Sequence, residues 1–420
     1  MAPVTSRGLL VGLLLALLLP AVAAAQSDAP PTGPRLSDRA QISLITILPG
    51  DPVYTFAGHS ALRVRDPVAG IDRLYNYGTF DFSDPLFIPK FTYGYLRYAL
   101  SVTSYPPMLR FYQRQGRPVI EQPLTLSPSQ RRAVFDFLQR NAQPENRYYQ
   151  YDFFFDNCST RIRDVLTETL GPRVDFSAVP PPERSFRELL DPFVASRPAL
   201  DLGFDLALGL PADRHATAQE VMFLPTHLMR AFTHATVTVG GERRPLVART
   251  DTVRWVSGYD GMEAAVDWPF LLSVGLLVLV LGWTGWQAAG GRVPGGRGDA
   301  LLFAALGTAG AVICYLWFIS TYTVTDHNLN LLWAWPTHLY AAYALVRHPT
   351  KPMVRLYLTA TAAAAGFFLL GWPLWPQAFH AVVPPLVAAA GVRAGWWALL
   401  LHGTVTAGAQ PALSESAPAS

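Results

Sequence analysis

A thiol and an imidazole are the groups in this chain whose placement could do chemistry. Cys158 closes the run Tyr151-Asp152-Phe153-Phe154-Phe155-Asp156-Asn157-Cys158 and is followed by Ser159-Thr160-Arg161-Ile162-Arg163-Asp164. Ile162, Val165, Leu166 and Thr169 then fall at i+4, i+7, i+8 and i+11, one stripe of a helix that packs on a sheet. Asp156 or Asn157 is placed to cap that helix. A thiol at a helix N-terminus feels the positive end of the dipole and free N–H groups, which lower its pKa and can hold an oxyanion. A small buried hydrophobe near a helix start fits the same pattern, and the local residues leave both readings open.

A thiol nucleophile needs a base. His59 stands in Phe56-Ala57-Gly58-His59-Ser60-Ala61-Leu62-Arg63, beside a glycine that permits close backbone approach and at the start of an alternating strand. There it could face a helix N-terminus across the sheet edge and take the thiol proton. A strand-end histidine satisfied by water is the plainer alternative. His215 sits in a polar stretch, and His227 and His234 have no nucleophile signal near them.

The second cysteine, Cys314, falls inside a long apolar run, so a bridge to Cys158 is not expected. Two cysteines exclude a disulfide scaffold and a Cys-only zinc site. No His/Cys/Asp grouping has metal-ligand spacing, and no glycine loop precedes a helix to cradle phosphate. No metal or cofactor is expected.

The elements that must position these groups follow from composition along the chain. Of 420 residues half are apolar and 15% charged, with a formal net charge of +3, against roughly 25% charged in a soluble domain. Without a basic stripe, nucleic-acid binding is not expected. Residues 1–25, with Arg7, an apolar core and small residues before Ala25, read as a secretory signal. Residues 26–40 read as a linker. Residues 41–265 read as an extracytoplasmic α+β domain. Strands are expected at 42–48, 60–65 and 74–80 with a turn at 66–70, and a helix at 128–141 opened by Ser127-Pro128. A further hairpin is expected within 237–255 through Gly240-Gly241. Residues 172–265 carry no motif.

Residues 266–403 read as a helical transmembrane bundle of about five spans, at 268–287, 300–321, 329–346, 356–375 and 379–402, followed by a cytoplasmic tail at 404–420. Arg292 and Arg297 lie between spans one and two, and Arg347, Lys351 and Arg355 between three and four. The other two connections lack Lys and Arg, so span one runs outside to inside. Trp333, Trp335, Trp372 and Trp375 then fall at the outer ends, as an interfacial belt should.

The order of a histidine strand before a cysteine helix resembles a circularly permuted papain-like (NlpC-type) arrangement. The longer runs resemble the Lnb family of bacterial lipoprotein N-acyltransferases. The likeness is carried by residues 56–63, by Tyr75-Asn76-Tyr77-Gly78-Thr79-Phe80-Asp81-Phe82, by Asn141-Ala142 and Glu145-Asn146-Arg147-Tyr148-Tyr149, and by residues 151–164. Asp326-His327-Asn328-Leu329-Asn330-Leu331-Leu332-Trp333 with Pro336 resembles the membrane half.

The resemblance implies an inner-membrane enzyme that transfers an acyl chain from a phospholipid to the N-terminal amine of a diacylated lipoprotein. The expected intermediate is a thioester on Cys158, with His59 as acid and base. The N–H of Cys158, helped by Asn157, would hold the oxyanion. A third group should orient His59. Asn76 on the next strand is expected, with Tyr77 and Asp81 competing because a one-residue slip across the turn exchanges them. Arg63 and Arg161 could meet a lipid phosphate, although pairing with nearby acids is the plainer account. The same thiol could instead serve a hydrolase of lipid esters or cell-wall peptides, and a non-catalytic periplasmic sensor would not need it.

Overall fold

The computed structural model describes residues 35–80, 83–256, 259, 263–292 and 296–407. The expected secretory signal, residues 26–34 of the expected linker, Asp81 and residues 408–420 lie outside them.

β1 (Gln41–Ile47) buries Ile42 and Leu44 in one core cluster and Ile45 and Ile47 in another. Both faces of its sheet are therefore covered, which is why the strand reads as nearly continuous apolar sequence. β2 (His59–Asp66) pairs with it antiparallel, placing His59 opposite Ile47. At the expected turn Asp66 Oδ1 accepts hydrogen bonds from the N–H groups of Val68 and Ala69 at 3.0 and 3.2 Å. β3 (Ile71–Thr79) returns beside β2 with Tyr75 opposite Leu62.

The chain continues through α1 (Phe87–Tyr93), β4 (Arg97–Ser104), α2 (Tyr105–Arg114), β5 (Val119–Pro123), α3 (Pro128–Asn141), β6 (Tyr148–Gln150) and α4 (Cys158–Leu170). β7 (Val174–Asp175), α5 (Phe186–Val194), α6 (Pro198–Ala207), α7 (Pro225–His234), β8 (Thr236–Val239), β9 (Glu242–Pro245) and β10 (Asp251–Arg254) complete this half. The main sheet has the order β10-β5-β1-β2-β3-β4-β6. The apolar stripes of α3, α4 and α7 cover one face, with Val134, Phe135, Ile162, Leu166 and Phe232 in one cluster with Leu62, Tyr75 and Tyr77. Tyr105 and Tyr112 of α2 cover the other, against Ile45, Ala61 and Leu74.

α3 begins where its sequence expects, because Ser127 and Gln130 form a reciprocal capping box. Two expectations in this half are corrected. Residues 35–40 are docked rather than free: Leu36 and Ala40 are buried, and Ser37 donates to Asp66 from its N–H and hydroxyl at 2.6 and 2.7 Å. The hairpin through Gly240-Gly241 forms, but only as β8–β9 beside β7, while β10 leaves it to pair with β5.

The second half comprises α8 (Trp268–Ala289), α9 (Arg297–Phe318), α10 (His338–Arg347), α11 (Pro352–Leu370) and α12 (Val383–Ala407). Four of these helices, α8, α9, α11 and α12, are long and apolar enough to span a bilayer among the described residues. The third of the about five expected spans is built differently from the other four. Residues 329–346 divide into the 3-10 turn Leu329–Leu332 and the ten-residue α10, which rises only about 15 Å. Buried Asn328 causes the break, its side-chain oxygen accepting from the N–H of Asn330 at 3.0 Å, and Pro336 precedes the restart. Pro384-Pro385 does not interrupt the last span, because both fall in the first turn of α12, where a missing N–H costs no helix bond.

Arg393 of α12 ties this bundle together. Its guanidinium makes a forked pair with Asp299 of α9 at 2.6 and 2.8 Å and donates to Thr284 and Gln287 of α8 at 2.7 and 3.0 Å.

The motif-free stretch turns out to seat the first half on one end of the bundle. Asn328 Nδ2 donates to the carbonyl of Leu206 at 2.8 Å, and the N–H of Gly209 to Val324 at 2.9 Å. Ala378 donates to Asp213 at 3.2 Å. Buried Arg187 shapes this seat from within, pairing with Asp205 and Asp213 at 2.8 and 2.9 Å. A Cβ on Gly209 would lie 1.9 Å from the carbonyl oxygen of Asp326, so a side chain there would part the two halves.

Candidate active site

Cys158 is the first residue of α4, and the residues before it explain why the helix starts there. Asp152 Oδ1 accepts from the N–H groups of Phe154 and Phe155 at 2.8 and 3.0 Å, turning the chain toward Asn157. Asn157 caps the helix: its Oδ1 accepts from Ser159 and Thr160 at 2.8 and 3.0 Å, and its own N–H donates to Thr160 Oγ1 at 2.8 Å. The cap thus accounts for three of the four N–H groups that a helix start leaves unpaired. The fourth belongs to Cys158.

The same cap decides what Asn157 can do. Both amide hydrogens are given to carbonyls, those of Phe153 and Phe223 at 2.6 and 2.8 Å. Asn157 therefore supports the site by holding the helix start, and its side chain is not a free oxyanion donor.

His59 lies at the first position of β2, and its ring and the Cβ of Cys158 border the same space over Gly78. Its Nε2 donates to Asn76 Oδ1 at 2.6 Å, which leaves Nδ1 as the nitrogen that faces sulfur. Burial alone pushes the Cys158 thiol up. The charge and hydrogen bond of His59, the N–H of Ser60 and the hydroxyl of Ser159 outweigh it, and the pKa falls below that of an ordinary cysteine. Ser159 is itself fixed by a 3.1 Å hydrogen bond to Ser60 Oγ. A thiol so placed can reach its nucleophilic form with the proton held on the adjacent ring.

The space between the two groups depends on Gly78. It sits in β3 with φ +131°, where the pairing with β4 slips by one residue. A Cβ there would lie 3.2 Å from Cε1 of His59 and 3.8 Å from Cβ of Cys158. Nothing in the sequence beyond the glycine itself announces this role.

Of the other expected site residues, Tyr77 points into the core, donating to Asn141 Oδ1 at 2.5 Å. Asn141 in turn donates to the carbonyl of Asn146 at 3.0 Å, so these motif residues build the fold around β3. Asp81 lies outside the described residues. Arg63 is paired with Asp72 and Glu121 at 2.8 and 2.9 Å and stacks on Tyr105. Arg161 makes a forked pair with Asp156 and stacks on Tyr149. Acids pair with both guanidiniums, the plainer of the two accounts, although the partners are Asp72, Glu121 and Asp156. Among the described residues no group of His, Cys, Asp and Glu could hold a metal ion.

Comparison with known families agrees with this arrangement from both ends of the chain. Residues 36–191 match the model of the Lnb N-terminal periplasmic domain, and residues 263–403 match that of the Lnb transmembrane domain. No curated protein and no solved structure matches the chain. With both halves matched in order, and the thiol, imidazole and carboxamide inside the first match, this multi-pass membrane protein belongs to the Lnb family.

Proposed function

We propose that the protein N-acylates diacylated lipoproteins at the outer face of the bacterial inner membrane, with a phospholipid as acyl donor. The observation that carries this reading is Cys158, at a helix start and with its thiol pKa lowered, beside a His59 whose far nitrogen is held by Asn76, in a membrane-spanning chain of the Lnb family. The sequence order of histidine strand and cysteine helix supports a permuted papain-like descent for the first half.

In the first transfer the Cys158 thiolate attacks an ester carbonyl of the phospholipid, and its proton rests on His59. The main-chain N–H of Cys158, left over by the cap, donates to the oxyanion. The C–O bond breaks, and the imidazolium returns its proton to the departing lyso-lipid oxygen. In the second, the α-amine of the lipoprotein's diacylglyceryl-cysteine attacks the thioester and the C–S bond breaks. The amine proton passes through His59 to restore the thiol. Asn76 keeps the ring in the tautomer and orientation that both halves require.

Intact mass spectrometry of the protein incubated with phospholipid vesicles tests this reading. A fatty-acyl adduct released by neutral hydroxylamine and missing from Cys158→Ala is the expected result. An unmodified protein, together with lipoprotein N-acylation unchanged in cells carrying Cys158→Ala, refutes it.

A further inference from the structure

The segment around α1 buries none of its helical residues. Leu86, Ile88, Phe91, Tyr93 and Tyr95 are all exposed, although five large apolar or aromatic side chains in ten residues would ordinarily be covered. The segment is tied to the outer end of a membrane-spanning helix. The N–H of Thr321 donates to the carbonyl of Tyr93 at 2.9 Å, and its hydroxyl to Gly94 at 3.2 Å. Thr321 stands three residues beyond the end of α9, whose last apolar residues, Phe318 and the adjoining Ile319, are exposed as well. The exposed face of α1 therefore continues the lipid-facing surface of a span at the level where that span leaves the hydrocarbon.

On its inner side the segment joins a line of rings that runs toward the thiol. Phe91 and Phe87 stack at 6.3 Å, Phe87 and Phe80 at 5.7 Å, Phe80 meets Tyr98 at 4.8 Å, and Tyr98 stacks on Tyr151 at 4.1 Å. Tyr98 belongs to the core cluster against which both Tyr151 and Cys158 pack.

We propose that residues 84–95 lie in the interface of the outer leaflet, with Ile88 and Phe91 among the acyl chains, and lead a lipid chain along these rings to Cys158. Mixed aromatic and aliphatic side chains with tyrosines at the margin suit that depth. The membrane contact stands on the geometry alone, whereas the delivery role rests on the acyltransferase reading.

The two parts are tested separately. In the full chain carrying Cys158→Ala and Cys314→Ala, an environment-sensitive NBD label is placed by Ile88→Cys and reconstituted in phosphatidylethanolamine–phosphatidylglycerol vesicles. Val68→Cys, exposed in the β2–β3 turn at the far end of the strands, is the aqueous control. Strong quenching by lipids brominated near the headgroup, and weak quenching by aqueous iodide, is expected at Ile88 alone. Equal iodide quenching at the two sites overturns the membrane contact. Protection from both quenchers overturns it too, because a protein surface would then be the occupant. In the otherwise native chain, Ile88→Asp with Phe91→Asp puts carboxylates among acyl chains and should slow adduct formation from vesicles at least about tenfold. An unchanged rate overturns the delivery role. If the native chain forms no adduct, the acyltransferase reading fails while the label still decides the membrane contact.

Discussion

His59 Nε2 and Asn76 Oδ1 meet at 2.6 Å across neighbouring strands. The carboxamide oxygen can only accept, so the bond fixes the hydrogen on Nε2 and turns the lone pair of Nδ1 toward Cys158. Asn76→Ala removes one orienting hydrogen bond of about 1–1.5 kcal/mol. The rate of acyl-enzyme formation should fall about tenfold. Single-turnover kinetics followed by mass spectrometry measures this, with retained circular dichroism showing that the fold survives.

Gly78→Ala should harm chemistry more than stability. The added methyl meets the imidazole at 3.2 Å in a backbone conformation that side chains rarely adopt. Strain of this kind costs about 1–3 kcal/mol. Displacing the ring breaks the thiol–imidazole contact outright. Adduct formation should drop below that of Asn76→Ala, while thermal unfolding shifts by only a few degrees.

The depressed thiol pKa predicts a specific pH dependence. Ordinary cysteines alkylate with an apparent pKa of about 8.5, and Cys158 should do so at lower pH because His59 and its neighbours favour the thiolate. Removing the ring leaves burial, which acts in the opposite sense, opposed only by the N–H of Ser60 and the hydroxyl of Ser159. In His59→Ala the iodoacetamide profile should therefore move upward, and a profile that stays in place contradicts the assignment.

The Arg393–Asp299 pair makes a prediction far from the thiol. Arg393→Met strands a buried carboxylate, and breaking one side of such a pair costs about 3–5 kcal/mol. The single variant should unfold earlier in detergent titrations. Adding Asp299→Leu should recover much of the loss, since the charge that suffers is then gone as well.

Legibility in the sequence followed the range of the forces involved. α3 was readable because Ser127, Pro128 and Gln130 close its cap within four residues, and the start of α4 because Asn157 and Thr160 do the same. His59 was readable because it opens an alternating strand beside a glycine, whereas the choice of Asn76 over Tyr77 and Asp81 hung on a register across the turn that local residues do not set. Arg63 was not readable: its partners are Asp72 on the adjacent β3 and Glu121 on β5, two strands away, rather than residues beside it in the chain. Gly78 hides for a related reason, since its function is an empty volume that exists only once β2, β3 and α4 have assembled. The division of residues 329–346 was hidden because their apolar average conceals Asn330, which with the preceding Asn328 turns its side chain to backbone groups.

The hydrogen bonds that Thr321 and Asn328 donate to the first half, and that Val324 accepts from Gly209, have a mechanical consequence. A head held at three points on the outer loops cannot swing, so Cys158 works at one fixed height above the hydrocarbon. The substrates must supply the vertical travel. On the acyltransferase reading, a donor ester and an acceptor amine would then be selected by how far each can rise from the bilayer, with reach measured before any chemistry.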